Sequence, residues 1–315
     1  MITVLTGGTG GAKFVWGLAQ VVPAERLTVI VNTGDDLTWW GLHVSPDVDS
    51  VMYALAGQLS PERGWGLADE SFRCLDRMRS LGAPSWFQLG DLDLATHIRR
   101  SELMSQGKSL SEVTAELCRA LSVKVSVLPM TNDHVETRVS TRNSNLNFQE
   151  YFVRDRHQAE ATDVKFEGID KAQTAPGVLE AITRAEAVFL APSNPVTSIG
   201  PILALPGVRD VLRNCTAPIA AISPIVAGQA VSGPAAQLMS MRKWPVSPDG
   251  IAQAYRDFVD LVIADEADRE ERHHIEGHGV RAAFTNTVMR TDQDKTALAR
   301  FALDVTLARH HEAVQ

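Results

Sequence analysis

Eight residues near the start of the chain, Thr6-Gly7-Gly8-Thr9-Gly10-Gly11-Ala12-Lys13, restrict its fold more than any other segment. They follow a short apolar run, Ile2 to Leu5, and precede a helix-like pattern in which Phe14, Leu18 and Val21 or Val22 share a face before Pro23. A second apolar run, Leu27 to Thr33, is bounded by turn residues, as a strand buried on both faces reads. Strand, glycine loop, helix and strand in that order open a parallel sheet with helices packed on it. Glycines between a strand and a helix let backbone N–H groups turn toward a phosphate, and the helix N-terminus adds partial positive charge. Neither common fingerprint is complete. The Walker A pattern lacks its Gly-Lys-Ser/Thr, and the Gly-x-Gly-x-x-Gly pattern has Lys13 in place of its third glycine.

The rest of the chain continues this alternation. The spacing predicts helices over Asp47–Leu59, Asp69–Leu81 and Ser111–Leu121, and a strand over Val123–Met130 that ends at a proline. Residues 131–175 change character: VETRVSTR, LNFQEYFVR and VKFEGI alternate polar and apolar residues, as half-exposed antiparallel strands do. They read as a small β-rich insertion in a core made of residues 1–130 and 176–315. AVFLAPSNP, APIAAISPIV, LVIADEAD and RAAFTNTVM are further strands, and Asp292–His310 a last helix. The fold class expected is α/β, a mostly parallel Rossmann-like sheet with helices on both faces. At 315 residues, the chain can bury a large core without staples. A net charge of −8 argues against a broad nucleic-acid surface, so an anionic ligand must be held by local features. Cys74, Cys118 and Cys215 form no CxxC pair, which reads as buried thiols in a reducing compartment. With no secretory leader and no membrane span in view, the expectation is a cytoplasmic protein without membrane partners.

In a doubly wound sheet, ligands sit beyond the carboxyl ends of the strands. Asn32-Thr33-Gly34-Asp35-Asp36 closes the second strand, and Ser45-Pro46-Asp47-Val48-Asp49 opens a helix. Asp47 suits an N-cap, whereas Asp49 is harder to explain that way. A carboxylate about 4 Å from a phosphate costs about 4 kcal/mol per charge pair at an effective dielectric of about 20. Carboxylates beside a phosphate nest therefore imply a divalent cation, and oxygen-only ligands favour Mg²⁺. The expected metal ligands are Asp36 and Asp49. Gln88-Leu89-Gly90-Asp91-Leu92-Asp93, followed by Thr96, His97, Arg99 and Arg100, reads either as helix capping or as part of the site. Pro192-Ser193-Asn194-Pro195 and Ser223–Ala235 offer further donors, and Trp39, Trp40, Trp65 and Trp86 either pack in loops or stack on a flat ring. There is no Gly-x-Ser-x-Gly elbow, and His273, His274 and His278 lack zinc-site spacing.

TGGTGGAK, NTGDD, SPDVDSVMYAL, LGDLDLATHIRRSELM, LPMTNDHVET, APSNPVTSIGPILALPGVRDVL and SPIVAGQAVSGPA together resemble the 2-phospho-L-lactate transferase (CofD-like) family of coenzyme F-420 biosynthesis. The resemblance spans residues 1 to about 240 in consistent order. It implies a Rossmann-like core with a small inserted domain, a homodimer, and Mg²⁺-dependent chemistry. A phosphorylated three-carbon acid (phospholactate, phosphoenolpyruvate or phosphoglycerate) would pass from a GDP-linked donor to the ribityl hydroxyl of the deazaflavin FO, releasing GMP. Asp36 and Asp49 would be catalytic. Asn32, Asp49, Trp86 and Gln88 would contact FO, with glutamine at position 88 where some relatives carry lysine. Thr6, Gly8, Thr9, Gly10, Gly11, Lys13, Ser193 and Asn194 would hold the nucleotide phosphates. Two rivals keep the same loop but not this reaction: a regulatory nucleotide-sugar binder and an NAD-dependent oxidoreductase.

Overall fold

The computed structural model describes residues 1–308. Seven strands form one parallel sheet, in the spatial order Arg281–Thr285, Leu261–Asp265, Ile219–Ile222, Ala187–Leu190, Ile2–Thr6, Leu27–Val31, Ser126–Pro129. Counted along the chain this is a 3-2-1-4-5-6 Rossmann arrangement extended by a seventh strand. The first two strands are buried at every residue, so both faces must be covered. Their alternation divides the core. Val4, Val29 and Val31 face Phe14, Leu18, Val51, Met52 and Leu298, while Leu5 and Ile30 face Ile199, Ile202, Leu212 and Ile251 on the opposite side. Each such side chain contributes about 1.5–3 kcal/mol by leaving water.

A separate antiparallel sheet is made by Glu136–Thr141, Asn145–Asn147 and Ala161–Glu167. Its inner residues Val139, Leu146 and Val164, with Tyr151 of the segment that follows, pack with Val196 and Leu238 of the main body. The stretch LNFQEYFVR is only partly strand: after Asn147 it becomes a helical turn over Glu150–Arg154. Asn147 Oδ1 accepts the Glu150 N–H at 2.8 Å, and a Glu150 carboxylate oxygen accepts the Asn147 N–H at 3.2 Å. This reciprocal cap starts the turn and breaks the alternation.

Several expected elements are shorter or shifted by a residue. The helices run Pro46–Leu55, Arg73–Ser80 and Leu110–Ala120. The last of these is capped by Ser109 with Glu112 closing the box, so Ser111 lies inside it. The final helix covers Asp292–Leu307, capped by Thr291, and its expected end at His310 lies outside the described residues. Among the described residues, no helix is long and apolar enough to cross a membrane.

Candidate active site

The strands Ile2–Thr6 and Ala187–Leu190 are neighbours, and the chain leaves them toward opposite faces of the sheet. Such a divergence opens a crevice beyond the strand ends. Here it is a cavity of about 900 Å³, lined on one side by Gly8, Thr9, Gly10, Lys13, Ser193 and Asn194. The Ser193 hydroxyl straps the two loops together, donating to the Gly7 carbonyl at 2.7 Å and accepting the Gly7 N–H at 3.3 Å. Gly8 begins the first helix at φ +68, a left-handed conformation that suits glycine. At Gly10 a Cβ would lie 2.6 Å from the Pro192 carbonyl oxygen, so the helix can approach this loop only without a side chain there. Thr6 and Gly11 sit beneath the turn and do not line the cavity. Burial, and then the charge of Lys295, lowers the pKa of Lys13.

Two acids face the glycine turn. Asp47 is buried at the start of its helix, and its carboxylate accepts from Asn32 Nδ2 at 2.9 Å and from the Gly8 N–H. Burial still pushes its pKa up to about 6. Asp35 is also raised, first by burial and then by the charge of Asp47, and its Oδ1 has no partner among the described residues. Asn194 Nδ2 and Thr197 Oγ1 are likewise buried and unpartnered among the described residues. Unmet polar atoms of this kind cost free energy unless something else completes them. Asn32 lies behind this group rather than on the cavity wall, bridging Asp47, the Thr197 carbonyl at 3.3 Å and the Gly34 N–H at 2.8 Å.

The two acids that the sequence reading assigned to a shared cation are in different surroundings. Asp36 is turned from the cavity: it lies 2.9 Å from His43 Nε2 and accepts from the Ser45 hydroxyl at 2.7 Å. Burial raises its pKa while His43 opposes the shift. Asp49 does line the cavity, and its carboxylate is gripped by both terminal nitrogens of Arg100, one of them at 3.1 Å. The next turn of the Arg100 helix adds His97, whose Nε2 is 3.2 Å from Asp93, and Tyr53 donates to Asp93 at 2.7 Å. Asp93 is held below the usual carboxylate range: burial opposes the shift, but the nearby His97 outweighs it, with help from Tyr53 and Arg100.

An aromatic wall closes the other side. Trp65, Trp86, Phe87 and Gln88 line it, as do Phe148 and Phe152 from the middle segment. Phe148 and Phe152 stack at 5.5 Å between ring centroids, and His157 continues the stack at 5.8 Å. Trp39 and Trp40 serve the loop instead: Trp39 is buried against Trp86 and Phe87, and Trp40 donates to the Pro84 carbonyl at 2.9 Å. The sequence reading missed Asp35, Asp47, Phe148 and Phe152 as wall residues. A signal for the last two was present in Asn147-Phe148-Gln149-Glu150, whose Asn-x-x-Glu spacing marks a helical turn.

Comparison with known proteins identifies the family. The family model described as "2-phospho-L-lactate transferase CofD" matches residues 2–302. A "2-phospho-L-lactate transferase" of Methanococcoides burtonii is 40% identical over 91% of this chain and 94% of its own length. A "Phosphoenolpyruvate transferase" of Kitasatospora aureofaciens is 42% identical over 96% of each chain. A crystal structure of a Bacillus halodurans protein shares the fold with a TM-score of 0.65 at 17% identity, covering 96% of this chain and 98% of that one. The strand order, the glycine turn at the switch point and these matches lead to one assignment: the chain belongs to the 2-phospho-L-lactate transferase CofD family of transferases.

Proposed function

We propose that the protein transfers a phosphorylated three-carbon acid from its GDP-linked donor to the ribityl hydroxyl of FO, with release of GMP. The observation that carries this reading is the meeting, in one cavity, of an amide-lined helix start, buried carboxylates and an aromatic wall. The glycine turn, Lys13, Ser193 and Asn194 would hold the diphosphate. Trp86, Gln88, Phe148 and Phe152 would flank the deazaflavin. The printed names of the relatives include both phospholactate and phosphoenolpyruvate transferases, so both donor acids belong to the proposal.

A divalent cation fits the residues present. Asp35 and Asp47 are buried carboxylates that repel one another, and one Asp35 oxygen has no partner among the described residues. Hard oxygen donors beside a phosphate site suit Mg²⁺. Asp35 and Asp47, rather than the expected Asp36 and Asp49, would hold the cation. Bound there, Mg²⁺ would neutralise phosphate oxygens and the departing GMP.

The chain's own groups do the remaining work. The wall holds the ribityl hydroxyl against the phosphorus that bears the acid. Asp49, oriented by Arg100, accepts the hydroxyl proton. A ribityl O–P bond forms, the P–O bond to GMP breaks, and GMP leaves with the bonding electrons. Positioning supplies most of such a rate. A mass-resolved assay tests the reading. Protein, FO, Mg²⁺ and the guanylylated forms of phospholactate, phosphoenolpyruvate and phosphoglycerate are incubated together. A phosphodiester of FO plus GMP is expected; nucleotide binding without an FO product would overturn it.

A further inference from the structure

Arg100 has no exposed surface and is the largest fully buried side chain among the described residues. It bonds both oxygens of Asp49, and its Nη1 also lies 3.1 Å from His97 Nδ1. A guanidinium only donates, so Nδ1 must accept. The ring proton is then on Nε2, which lies 3.2 Å from Asp93 but out of hydrogen-bond geometry. One guanidinium thus orients Asp49 directly and sets the tautomer of His97.

The same cluster looks at first like a metal site. Ligand atoms of Asp49, Asp93 and His97 lie within 4.8 Å of one another, and all three residues are buried. The guanidinium already engages two of the three. A buried ion pair is a costly way to join two helices, since an apolar pair often does so with equal or greater stability. What a guanidinium adds is a two-pronged, fixed orientation of a carboxylate.

We propose that Arg100 is a resident cation standing where a second metal would otherwise bind. It is a positioning residue that aims Asp49 at the reacting groups, and it keeps the Asp49–Asp93–His97 cluster from taking a divalent ion. The first half rests on the transfer reaction proposed above; the second half does not.

Two measurements separate these parts. Arg100→Gln is expected to lower kcat about 100-fold while leaving KM for FO and for the donor within about threefold, the split expected when an interaction acts mainly in the transition state. Arg100→Lys keeps the charge and should recover about tenfold of that loss. In parallel, Co²⁺ is added to the wild type, to Arg100→Ala and to Arg100→Ala/His97→Ala, and absorption is recorded. An intense imidazole-dependent Co²⁺ band is expected only in Arg100→Ala. Arg100→Gln with kcat within threefold of wild type, or a loss confined to KM, overturns the positioning role. The same band in the wild type, or its absence in a folded Arg100→Ala, overturns the exclusion role. If Arg100→Ala and Arg100→Gln do not fold, Arg100→Lys decides: unchanged kcat refutes positioning, and gain of the band refutes exclusion by charge. A wild type that makes no FO product fails the functional reading, while the Co²⁺ arm still stands.

Discussion

Asp47 and Asp49 lie in the first turn of one helix, two residues apart and both buried, yet their surroundings are opposite. Around Asp47 the neighbours are Asn32, a backbone N–H and a second acid, Asp35, so negative charge accumulates without a counter-ion. Around Asp49 a guanidinium closes the charge. One helical turn thus presents an unmet charge to the phosphate side of the cavity and a neutralised, oriented carboxylate to the other. Where a protein leaves buried charge unbalanced, something that binds is expected to balance it. In the reaction proposed above, this contrast gives cation binding to Asp35 and Asp47 and proton transfer to Asp49.

The largest effect is expected at Asp49. Asp49→Asn should lower turnover about 10³-fold, in the range seen when a transition-state interaction is removed. It should also lower the unfolding free energy by about 3 kcal/mol, because Arg100 loses its counter-charge. Steady-state kinetics and urea unfolding check both. Asp47→Asn should separate the two properties: Mg²⁺ affinity falls about 100-fold, while the metal-free protein near pH 7 gains up to about 3 kcal/mol by losing a buried charge. A loss of metal-free stability in Asp47→Asn would erase the contrast.

Asp47 and Asp93, the acid beside His97, should respond to pH with opposite signs. The Asp47 pKa is raised from 3.8 to about 6 on folding. Below the unfolded value both states are protonated and there is no penalty. As pH rises from about 4 to about 6 the unfolded chain releases a proton that the folded one retains, and stability falls by a total on the order of 3 kcal/mol. Asp93 is lowered from 3.8, so its contribution is complete above that value and is lost as pH falls through the folded pKa. Metal-free unfolding between pH 3 and 7 should show the Asp47 decline in wild type and lose it in Asp47→Asn.

The aromatic wall provides the smallest effect. Trp86→Ala should raise KM for FO about tenfold, as expected for one lost stacking partner, with kcat within about twofold. An equal loss in kcat would make the wall part of the chemistry rather than of binding.

Much of this was legible in the residues. The glycine loop between two apolar runs specified a parallel sheet because only that topology buries both faces of strands such as Leu27–Val31. The acids at the strand ends were visible as well. Which acid of the Asp35-Asp36 pair faces the cavity was not, since the two differ by one step of a turn whose rotation depends on His43 and Ser45. The Asp49–Arg100 pair joins residues 51 apart, on helices brought together only by packing. The middle segment misled because Leu146, Phe148 and Phe152 alternate with polar residues, while the Asn147–Glu150 cap that ends the strand is a local signal of a different kind.

Anomalous diffraction at the manganese edge, from crystals soaked with guanylate and Mn²⁺, tests the central claim most directly. One peak is expected between Asp35, Asp47 and a phosphate resting on the Gly8–Gly10 turn, with Arg100 still paired to Asp49. A peak within the Asp49–Asp93–His97 cluster, or nucleotide density away from the glycine turn, would contradict it.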